Sequence, residues 1–232
     1  MSNIAALFDL DGTLSRGGVW NGFFKYYRMR KKKRTWILTF WATHLPLWLL
    51  TKCKLYSGEK CRLKWTKDMS GIFKRASKEE ALNVFRWVAD NYILRSLRSD
   101  VVEIMNWHKQ NEHIVVIVSA TYSEVLEIVG ESLGVPNVIG TRLEVIDGEY
   151  TGNIVEPLCF GENKAILFKE FIKQNGLKID FPSSFAYADS IFDVPLLELA
   201  GNPVTVYPDK DLRLLSGNKG WRILSDLTQI DS

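Results

Sequence analysis

Near the start of the chain, a short apolar segment ends in two closely spaced carboxylates. Ile4–Phe8 is apolar, and the sequence continues Asp9-Leu10-Asp11-Gly12-Thr13-Leu14. An apolar run of this length predicts a buried strand. Two carboxylates at its end would oppose each other's ionisation, and a bound divalent cation is the simplest group that offsets this repulsion. The segment therefore predicts a buried strand that delivers two acids to a metal site.

Length and composition limit the classes of protein to which the chain can belong. With 232 residues, of which 46 % are hydrophobic, it can form one large domain or a core with an inserted unit. A net charge of +3 gives no reason to expect a nucleic-acid partner. Three cysteines without metal or redox spacing, and a first segment unlike a signal peptide, indicate a cytoplasmic protein.

The chain divides into two regions of different sequence pattern. Strand-like and helix-like segments alternate over residues 1–14 and 95–232, which predicts an α/β fold with a three-layer core and a mainly parallel sheet. Residues 15–94 contain no convincing strand, and a capping box at Ser77-Lys78-Glu79-Glu80 marks one of their helices. We expect residues 15–94 to form an all-helical cap domain inserted into a catalytic core.

Polar residues follow three of the predicted strands. Asp9 ends the first strand, Ser119 ends the strand His113–Ser119, and Asp189 follows the strand Ser184–Ala188. A capping box at Thr121-Tyr122-Ser123-Glu124 is expected to open the next helix after Ser119. Ligands of open α/β sheets bind beyond the carboxyl ends of the strands, so these three residues are expected to converge on one site.

The two acids of the first motif suit the hydrolysis of a phosphate monoester. Such a reaction needs a nucleophile, cancellation of negative charge and a proton for the leaving oxygen. Asp9 can form an aspartyl-phosphate, and Asp11 can protonate the leaving group and then activate water. Gly12 permits the sharp turn that keeps both acids directed at one pocket. The alternative is that the two acids only cap a turn.

Ser119 and Lys164 are candidate ligands of the phosphate. A hydroxyl and backbone N–H groups at the strand-to-helix junction Ser119-Ala120 can bind phosphate oxygens, although a serine here is also a common helix cap. Lys164 lies near a predicted helix start, where the helix dipole disfavours a cation. An anionic partner would explain its position, but an exposed lysine is the ordinary interpretation, and Lys169 is a competing candidate.

A second acidic motif follows the strand at Ser184–Ala188. Asp189 leaves the strand and Asp193 comes four residues later, a spacing that places both acids on one face of a first helical turn. Acids there also stabilise a helix N-terminus, which is the purely structural interpretation. With Asp9 they form an oxygen donor set of the kind that Mg²⁺ prefers. A pocket with four aspartates and one lysine would repel a phosphate dianion unless such a cation were bound.

These motifs, in this order, resemble those of the haloacid dehalogenase-like hydrolases, and the long helical insert resembles the phosphoserine-phosphatase-like subfamily. The resemblance implies a Rossmann-like core with a helical cap. It also implies a Mg²⁺-dependent phosphatase in which Asp9 is the nucleophile and a metal ligand. Asp11 would be the general acid/base, and its backbone carbonyl a further metal ligand. The remaining implied roles are phosphate binding by Ser119, Ala120 and Lys164, metal binding by Asp189, and support of the metal surroundings or of Lys164 by Asp193.

The resemblance leaves the substrate open. Phosphoserine phosphatases place an acid in the early cap, whereas Arg16-Gly17-Gly18-Val19-Trp20 contains none. We therefore expect another small phosphorylated metabolite, with Arg62, Lys64 or Lys67 as candidate basic contacts. Two alternative functions are a phosphotransferase on the same core and a phosphatase of a lipid phosphate at the membrane surface.

A basic and an apolar run adjoin each other at residues 28–50. Arg28-Met29-Arg30-Lys31-Lys32-Lys33-Arg34 precedes Trp36–Leu50, which as a helix would span roughly 22 Å, too short for the hydrocarbon core of a bilayer. His44 and Pro46 are expected to interrupt it. The favoured interpretation is a core helix of the cap, and the second is peripheral membrane contact on anionic lipid. Nucleic-acid binding ranks lower because the basic run lacks interleaved aromatic residues.

Overall fold

The computed structural model describes residues 2–225. They form an α/β fold in which a mixed sheet has helices on both faces. Over these residues the sheet has seven strands in the order β4-β3-β2-β1-β5-β6-β7, and only the β3–β4 pair is antiparallel. The strands are β1 (Ala5–Phe8), β2 (Ile114–Tyr122), β3 (Val138–Ile146), β4 (Glu149–Val155), β5 (Phe185–Ala188), β6 (Asn202–Val206) and β7 (Arg222–Leu224). The predicted fold class, including the mainly parallel sheet, is confirmed.

The described residues form nine α-helices, together with short 3₁₀ and π segments. They are α1 (Val19–Met29), α2 (Arg34–Lys52), α3 (Gly58–Met69), α4 (Lys78–Val88), α5 (Ser99–Gln110), α6 (Ser123–Leu133), α7 (Glu162–Gln174), α8 (Val194–Leu197) and α9 (Lys210–Lys219). The capping box predicted before α4 is present, since Ser77 accepts from the N–H of Glu80 and the Glu80 carboxylate accepts from the N–H of Ser77.

The central strand β1 packs against both faces of the molecule. Ala6 and Phe8 belong to one apolar cluster, together with residues of α5 and α6, whereas Ala5 and Leu7 belong to a second cluster, together with residues of α7 and α8. All four side chains are buried. This alternation is what a parallel strand covered on both faces requires, and it creates the three layers predicted from the sequence.

The position of β1 determines where the first two acids lie. β1 pairs with β2 on one side and with β5 on the other, and Phe8 is the last residue that pairs with both. The strand order therefore reverses at β1, and Asp9 follows it at this switch point. Crevices outside the carboxyl ends of strands at such points are the usual ligand sites of open α/β sheets.

Between β1 and β2 the described chain contains only helices and turns. The chain leaves the sheet and returns to it at adjacent points, because Ser15 and Leu97 form an antiparallel bridge and Arg98 N–H donates to the carbonyl of Leu14. The division into a core of residues 1–14 and 95–232 and a cap of residues 15–94 remains a prediction, and this shared crossing point supports it.

The first and last parts of the insert pack directly on the core. Phe23 of α1 and Phe85 of α4 contact Phe73, and Phe23 also stacks on Tyr122 at the end of β2. Tyr150 of β4 completes this aromatic group. One continuous apolar cluster thus extends from the sheet into the insert.

Two predictions around Ser119 are wrong. The strand does not end at Ser119 but continues to Tyr122, and α6 begins at Ser123 without a side-chain cap. Thr121 is therefore not an N-cap: its hydroxyl donates to the Oδ2 of Asp11. The strand continues because Tyr122 is buried in the aromatic group, so the extended chain carries its side chain past the end of β1.

The favoured interpretation of the Trp-rich run is also wrong for most of its length. α2 is continuous through His44 and Pro46, and of its 19 residues only Phe40 and His44 are buried. These two side chains and that of Trp41 contact Trp65 of α3, and Phe40 and Trp41 also contact Phe24 of α1. No helix within residues 2–225 is long and apolar enough to span a membrane.

All three cysteines are free thiols, as expected for a chain without a disulfide framework. Cys53 is exposed, and Cys61 and Cys159 are buried. The cytoplasmic location remains a prediction.

Candidate active site

Asp9 lies at the bottom of a pocket at the carboxyl end of β1. Its N–H donates to the carbonyl of Tyr187 in β5, which fixes the backbone, and its carboxylate is almost fully buried. Burial raises the pKa of Asp9 well above its ordinary value, Lys164 lowers it in part, and the carboxylates of Asp193 and Asp189 raise it further. The Asp9 carboxylate therefore lies where its ionised form needs a nearby positive charge.

Lys164 supplies part of that compensation. Its side chain is 3 % exposed, and its Nζ donates to Asp9 Oδ1 at 2.7 Å and to Asp193 Oδ1 at 2.6 Å. Burial alone would lower the pKa of Lys164, but Asp193 and Asp9 outweigh it and hold the pKa above its ordinary value. Lys164 is thus a buried ammonium ion, and the competing candidate Lys169 is exposed.

The acids of the second motif face the first. Carboxylate oxygens of Asp9, Asp189 and Asp193 all lie within 4.8 Å of one another. Burial and the nearby Asp193 carboxylate together raise the pKa of Asp189 to about 7, against the lowering effect of a hydrogen bond from Thr13. Three carboxylates and one ammonium leave the cluster with excess negative charge, so this donor set fits a hard divalent cation such as Mg²⁺.

Gly12 permits the close approach of the two motifs. Its φ is +97°, and a Cβ at this position would overlap the carboxylate of Asp189. Glycine is therefore required here for both its backbone conformation and its missing side chain.

The side chain of Asp11 points away from the three carboxylates, towards the insert. Its Oδ1 accepts from the N–H of Val19, the first residue of α1, and its Oδ2 accepts from the Thr121 hydroxyl. Burial raises the pKa of Asp11 to about 6, although these two hydrogen bonds lower it. The carboxyl is therefore held in one orientation and has a pKa close to neutral, as a proton-transfer group requires.

Ser119 and Ala120 lie on the opposite wall of the same pocket. Ser119 is buried, and its Oγ accepts from the N–H of Thr121. Because that bond uses an acceptor site of the hydroxyl, the hydroxyl proton can be donated to a ligand oxygen.

The pocket has a volume of about 600 Å³, and residues of the insert form part of its lining. The residues that the insert contributes include three tryptophans and several cations: Arg16, Trp20, Trp48, Lys52, Arg62 and Trp65. Of the three cations considered from the sequence, only Arg62 lines it. Lys64 instead pairs with Asp68, and Lys67 pairs with Glu156.

The structure thus brings together all seven residues predicted for the site, which are Asp9, Asp11, Ser119, Ala120, Lys164, Asp189 and Asp193. It adds Thr13 and Thr121, whose hydroxyls position Asp189 and Asp11. Thr13 follows Gly12 in the first motif, and this position was the feature of the sequence that could have identified its role. Thr121 was assigned to a helix cap, which concealed its role.

An α/β fold with acids at its switch point and a helical insert defines a known class, and the comparison with protein families identifies it. The family model of haloacid dehalogenase-like hydrolases matches residues 6–198. This match covers most of the chain and every predicted site residue. The chain belongs to the haloacid dehalogenase-like hydrolase family.

Curated relatives carry names of related activities. A probable phosphatase of Mycobacterium tuberculosis (strain ATCC 25618 / H37Rv) is 35 % identical over 127 residues, which are 55 % of this chain and 43 % of that protein. A histidinol-phosphatase of Neisseria meningitidis serogroup C is 30 % identical over 153 residues, which are 65 % of this chain and 69 % of that protein. The chain thus spans less than half the length of the first relative and about two thirds of the second.

Solved structures share the fold over nearly the whole chain. A protein of unknown function from Bordetella pertussis Tohama I is 25 % identical, with a TM-score of 0.81 and coverage of 97 % of this chain and 99 % of the other. A phosphoserine phosphatase studied as an analogue of its phospho-aspartyl intermediate has a TM-score of 0.64 at 17 % identity, covering 99 % of this chain and 98 % of the other. The second similarity concerns the fold alone.

Proposed function

We propose that this chain is a Mg²⁺-dependent phosphomonoester hydrolase that acts through an aspartyl-phosphate on a small phosphorylated metabolite. The observation that carries the proposal is the buried group of Asp9, Lys164, Asp189 and Asp193. Lys164 contacts Asp9 and Asp193 directly, and the three carboxylates lie within 4.8 Å of one another. Buried charges are costly unless they are paired or serve a ligand, so this group is best explained as a reaction site.

In the first half-reaction Asp9 is the nucleophile. One of its carboxylate oxygens forms a bond to phosphorus while the bond between phosphorus and the ester oxygen breaks. Asp11 donates its proton to that leaving oxygen, so the product is an alcohol and not an alkoxide. The pKa of about 6 at Asp11 is compatible with this donation near neutral pH.

In the second half-reaction Asp11 acts as the base. It takes a proton from a water molecule, whose oxygen bonds to phosphorus while the bond to Asp9 breaks. Inorganic phosphate leaves, Asp9 is again a carboxylate, and Asp11 is again protonated. Ser119 and the backbone of Ala120 line the pocket where the non-bridging oxygens would lie, and Lys164 provides positive charge beside Asp9.

The residues present fit the metal that the family resemblance implies. Asp9 and Asp189 would hold Mg²⁺, with Asp193 beside them and the backbone carbonyl of Asp11 as the further ligand inferred from the resemblance. When bound, the ion would lower the repulsion between these carboxylates and a phosphate dianion. The observation that supports the fit is the donor set itself: oxygens of Asp9, Asp189 and Asp193 lie within 4.8 Å of one another, and Lys164 pairs with two of the three carboxylates.

The pocket lining also narrows the substrate. Among the residues that the structure describes, the part of the lining that comes from the insert includes Arg16 and Arg62 and contains no acid. A substrate ammonium group would find no carboxylate partner in this wall. We infer that the organic part of the substrate is apolar, aromatic or anionic. Replacing Arg62 with glutamine would then raise KM more for a substrate with a second anionic group than for an uncharged aryl phosphate.

Asp9→Asn tests the proposed reaction. The amide cannot attack phosphorus, so hydrolysis of p-nitrophenyl phosphate is expected to fall by at least about 10³-fold. Asp147→Asn in the exposed β3–β4 turn is the matched control and should retain full activity. EDTA should abolish hydrolysis by the unmodified protein, and excess Mg²⁺ should restore it. Full activity of Asp9→Asn would contradict the proposal.

The two alternative functions are separated by product and substrate analysis. A phosphotransferase would give a phosphorylated alcohol when an alcohol is added, whereas a hydrolase would release inorganic phosphate in each case. A lipid-phosphate phosphatase would hydrolyse vesicle-bound phosphate monoesters faster than soluble metabolites. The two relatives described above carry phosphatase names, which favours hydrolysis over transfer.

A further inference from the structure

α2 exposes a stripe of large apolar side chains, hereafter the apolar stripe, formed by Leu38, Trp41, Leu45, Trp48 and Leu49. Their successive spacings of three, four, three and one residues place them on one side of the helix. Their exposed fractions range from 40 % for Trp41 to 69 % for Leu38. The adjacent side of α2, carrying Phe40 and His44, is buried against the protein. Trp41, the least exposed of the five, also contacts the rings of Phe24 and Trp65. The apolar stripe therefore remains largely open to solvent, although Trp41 helps to hold the helix in place.

The rest of the α2 surface has few polar groups that need hydrogen bonds from water. No lysine, arginine, aspartate or glutamate occurs between Arg34 and Lys52, and the one histidine there, His44, is buried. Three of the four threonine hydroxyls of α2 donate to carbonyls of the helix itself: Thr39 to Trp36, Thr43 to Thr39 and Phe40, and Thr51 to Trp48. These three hydroxyls can lie against a medium of low polarity without being left unpaired.

Basic residues flank α2 at both ends. The segment Arg28–Arg34 contains six lysines and arginines, nearly all exposed. At the other end, Lys52 is the last residue of α2 and Lys54 follows it. From Arg28 to Gly58 the chain has these eight cations and no acid, although its overall net charge is only +3. The remainder of the protein is therefore net negative, and the positive charge is concentrated around the apolar stripe.

We propose that α2 is an interfacial helix that docks this protein on the surface of an anionic lipid bilayer. The apolar stripe would enter the boundary between headgroups and acyl chains, where tryptophan is favoured, and the flanking cations would contact anionic headgroups. A second copy of the chain is a poorer occupant of this surface. Pairing two such faces would bring two concentrations of positive charge together.

Docking in this way would place the candidate active site beside the bilayer. Trp48, Thr51 and Lys52 of α2 also line the pocket that contains Asp9. The helix that would lie on the lipid is thus part of the wall of the site. The docking proposal itself rests on the surface of α2 and is independent of the proposed phosphatase activity.

Vesicle flotation tests the docking directly. Purified protein would be mixed with phosphatidylcholine vesicles, with or without about 30 mol % phosphatidylglycerol, at about 0.15 M salt. We expect the protein to float with the anionic vesicles and at least tenfold less with the neutral ones. Tryptophan emission should shift to shorter wavelength only with the anionic vesicles, because Trp41 and Trp48 would leave water.

Two sets of variants locate the contact. Leu38→Gln with Leu49→Gln removes apolar surface outside the pocket, and Lys32→Glu with Arg34→Glu reverses charge while leaving an acid suited to the start of α2. Each pair should reduce vesicle binding at least tenfold. Matched controls are Leu82→Gln with Leu214→Gln and Lys169→Glu with Lys173→Glu, all exposed on other helices. The controls should bind like the unmodified protein.

Activity and oligomeric state make the outcome decisive. The Leu38→Gln, Leu49→Gln variant should hydrolyse soluble p-nitrophenyl phosphate like the unmodified protein if that activity is present, which separates docking from catalysis. The docking proposal is overturned if the unmodified protein does not float with anionic vesicles, or if the control pairs lose binding equally. It is also overturned if sedimentation shows a dimer that the leucine pair disrupts while vesicle binding is absent.

Discussion

The charge cluster of Asp9, Lys164, Asp189 and Asp193 and the apolar stripe of α2 depart from ordinary folding preferences in opposite directions. The cluster holds ionisable groups away from water, and the stripe holds large apolar groups in water. Each arrangement is costly for the chain alone. By our proposals, both features are completed by something outside the polypeptide: a cation and a phosphate in one case and a lipid surface in the other.

The two regions also differ in how the rest of the protein supports them. Each group of the cluster is fixed by partners from separate elements, such as Lys164 of α7 reaching Asp9 after β1. Support for α2 comes from Phe40, Trp41 and His44, which contact Trp65 of α3, so the helix rests on another part of the insert. Substitutions in the cluster should therefore change both folding and chemistry. Substitutions at Leu38 and Leu49 of the stripe, which lie outside the pocket, should change neither.

The largest effect is expected for Lys164→Met. The variant removes the ammonium that pairs with Asp9 and Asp193 and leaves their carboxylates buried without a cation, which typically costs about 3–5 kcal/mol of stability. Hydrolysis should fall at least about 10³-fold. Urea unfolding at pH 8 and steady-state kinetics measure the two effects. Lys169→Met, an exposed position on the same helix, is the control, and equal losses there would remove the special role of Lys164.

Gly12→Ala should have the next largest effect. The new Cβ would overlap the Asp189 carboxylate, and φ is +97°, so we expect a loss of about 2–4 kcal/mol and a fall in activity from displacement of Asp189. Gly148→Ala is a matched control, because Gly148 also has positive φ but its added Cβ would contact nothing. That variant should cost only about 1 kcal/mol. Similar values for both would show that the approach of Asp189 is not the reason for glycine.

Asp189→Asn should alter how stability depends on pH in EDTA. The folded-state pKa of Asp189 is raised to about 7 by burial and by Asp193, so folding favours its protonated form. Its contribution is fully present below the unfolded pKa of about 4 and is lost as pH rises through 7. At pH 8 the asparagine variant should therefore be more stable than the unmodified protein by about 1–3 kcal/mol, although it loses activity.

The quantity to measure is the difference in the free energy of unfolding between Asp189→Asn and the unmodified protein. His108 and Glu124 also have shifted pKa values, but they contribute equally to both proteins. Thermal or urea unfolding at pH 5 and pH 8 provides it. The advantage of the variant should shrink towards pH 5. A constant difference at all pH values would contradict an uncompensated negative charge at this position.

The smallest effect is expected in the apolar stripe. Leu38→Gln and Leu49→Gln replace exposed side chains by a good helix former and should change stability by no more than about 0.5 kcal/mol. Phe40→Ala, on the buried side of the same helix, should cost about 3 kcal/mol. Urea unfolding of the three variants compares the two sides. A large loss at Leu38 would show that the stripe supports the fold.

The sequence was most informative where a local pattern is tied to chemistry. The run before Asp9 and the acids at Asp189 and Asp193 predicted both their strands and their meeting point, because parallel strands in a buried sheet end at the same edge. Lys164 was also predicted, because the helix dipole disfavours a cation near the start of a helix unless an anion lies close to it. Its burial and its bond to Asp193 depend on how α7 packs, which no local pattern contains.

Predictions failed where tertiary contacts override a local signal. The residues around Thr121 have the form of a capping box, but burial of Tyr122 extends β2 and the Thr121 hydroxyl is used by Asp11. α9 and β7 were not predicted, although Asp209 caps α9 and Gly220 ends it. α2 has the composition of a core helix, and only the packing of the insert reveals that most of it faces outward.

The hydrogen bond from the Val19 N–H to Asp11 makes the proton donor sensitive to the insert. This bond stabilises the charged carboxylate and lowers the pKa of Asp11 against the effect of burial. Separation of α1 from the core would break this bond and would also expose the carboxyl to water. Because burial has the larger effect on the pKa of Asp11, the carboxyl would shift towards its ionised form. The first step of the proposed reaction needs the acid form and the second step needs the base. The protonation state of one side chain would thus report the distance between the two parts of the molecule.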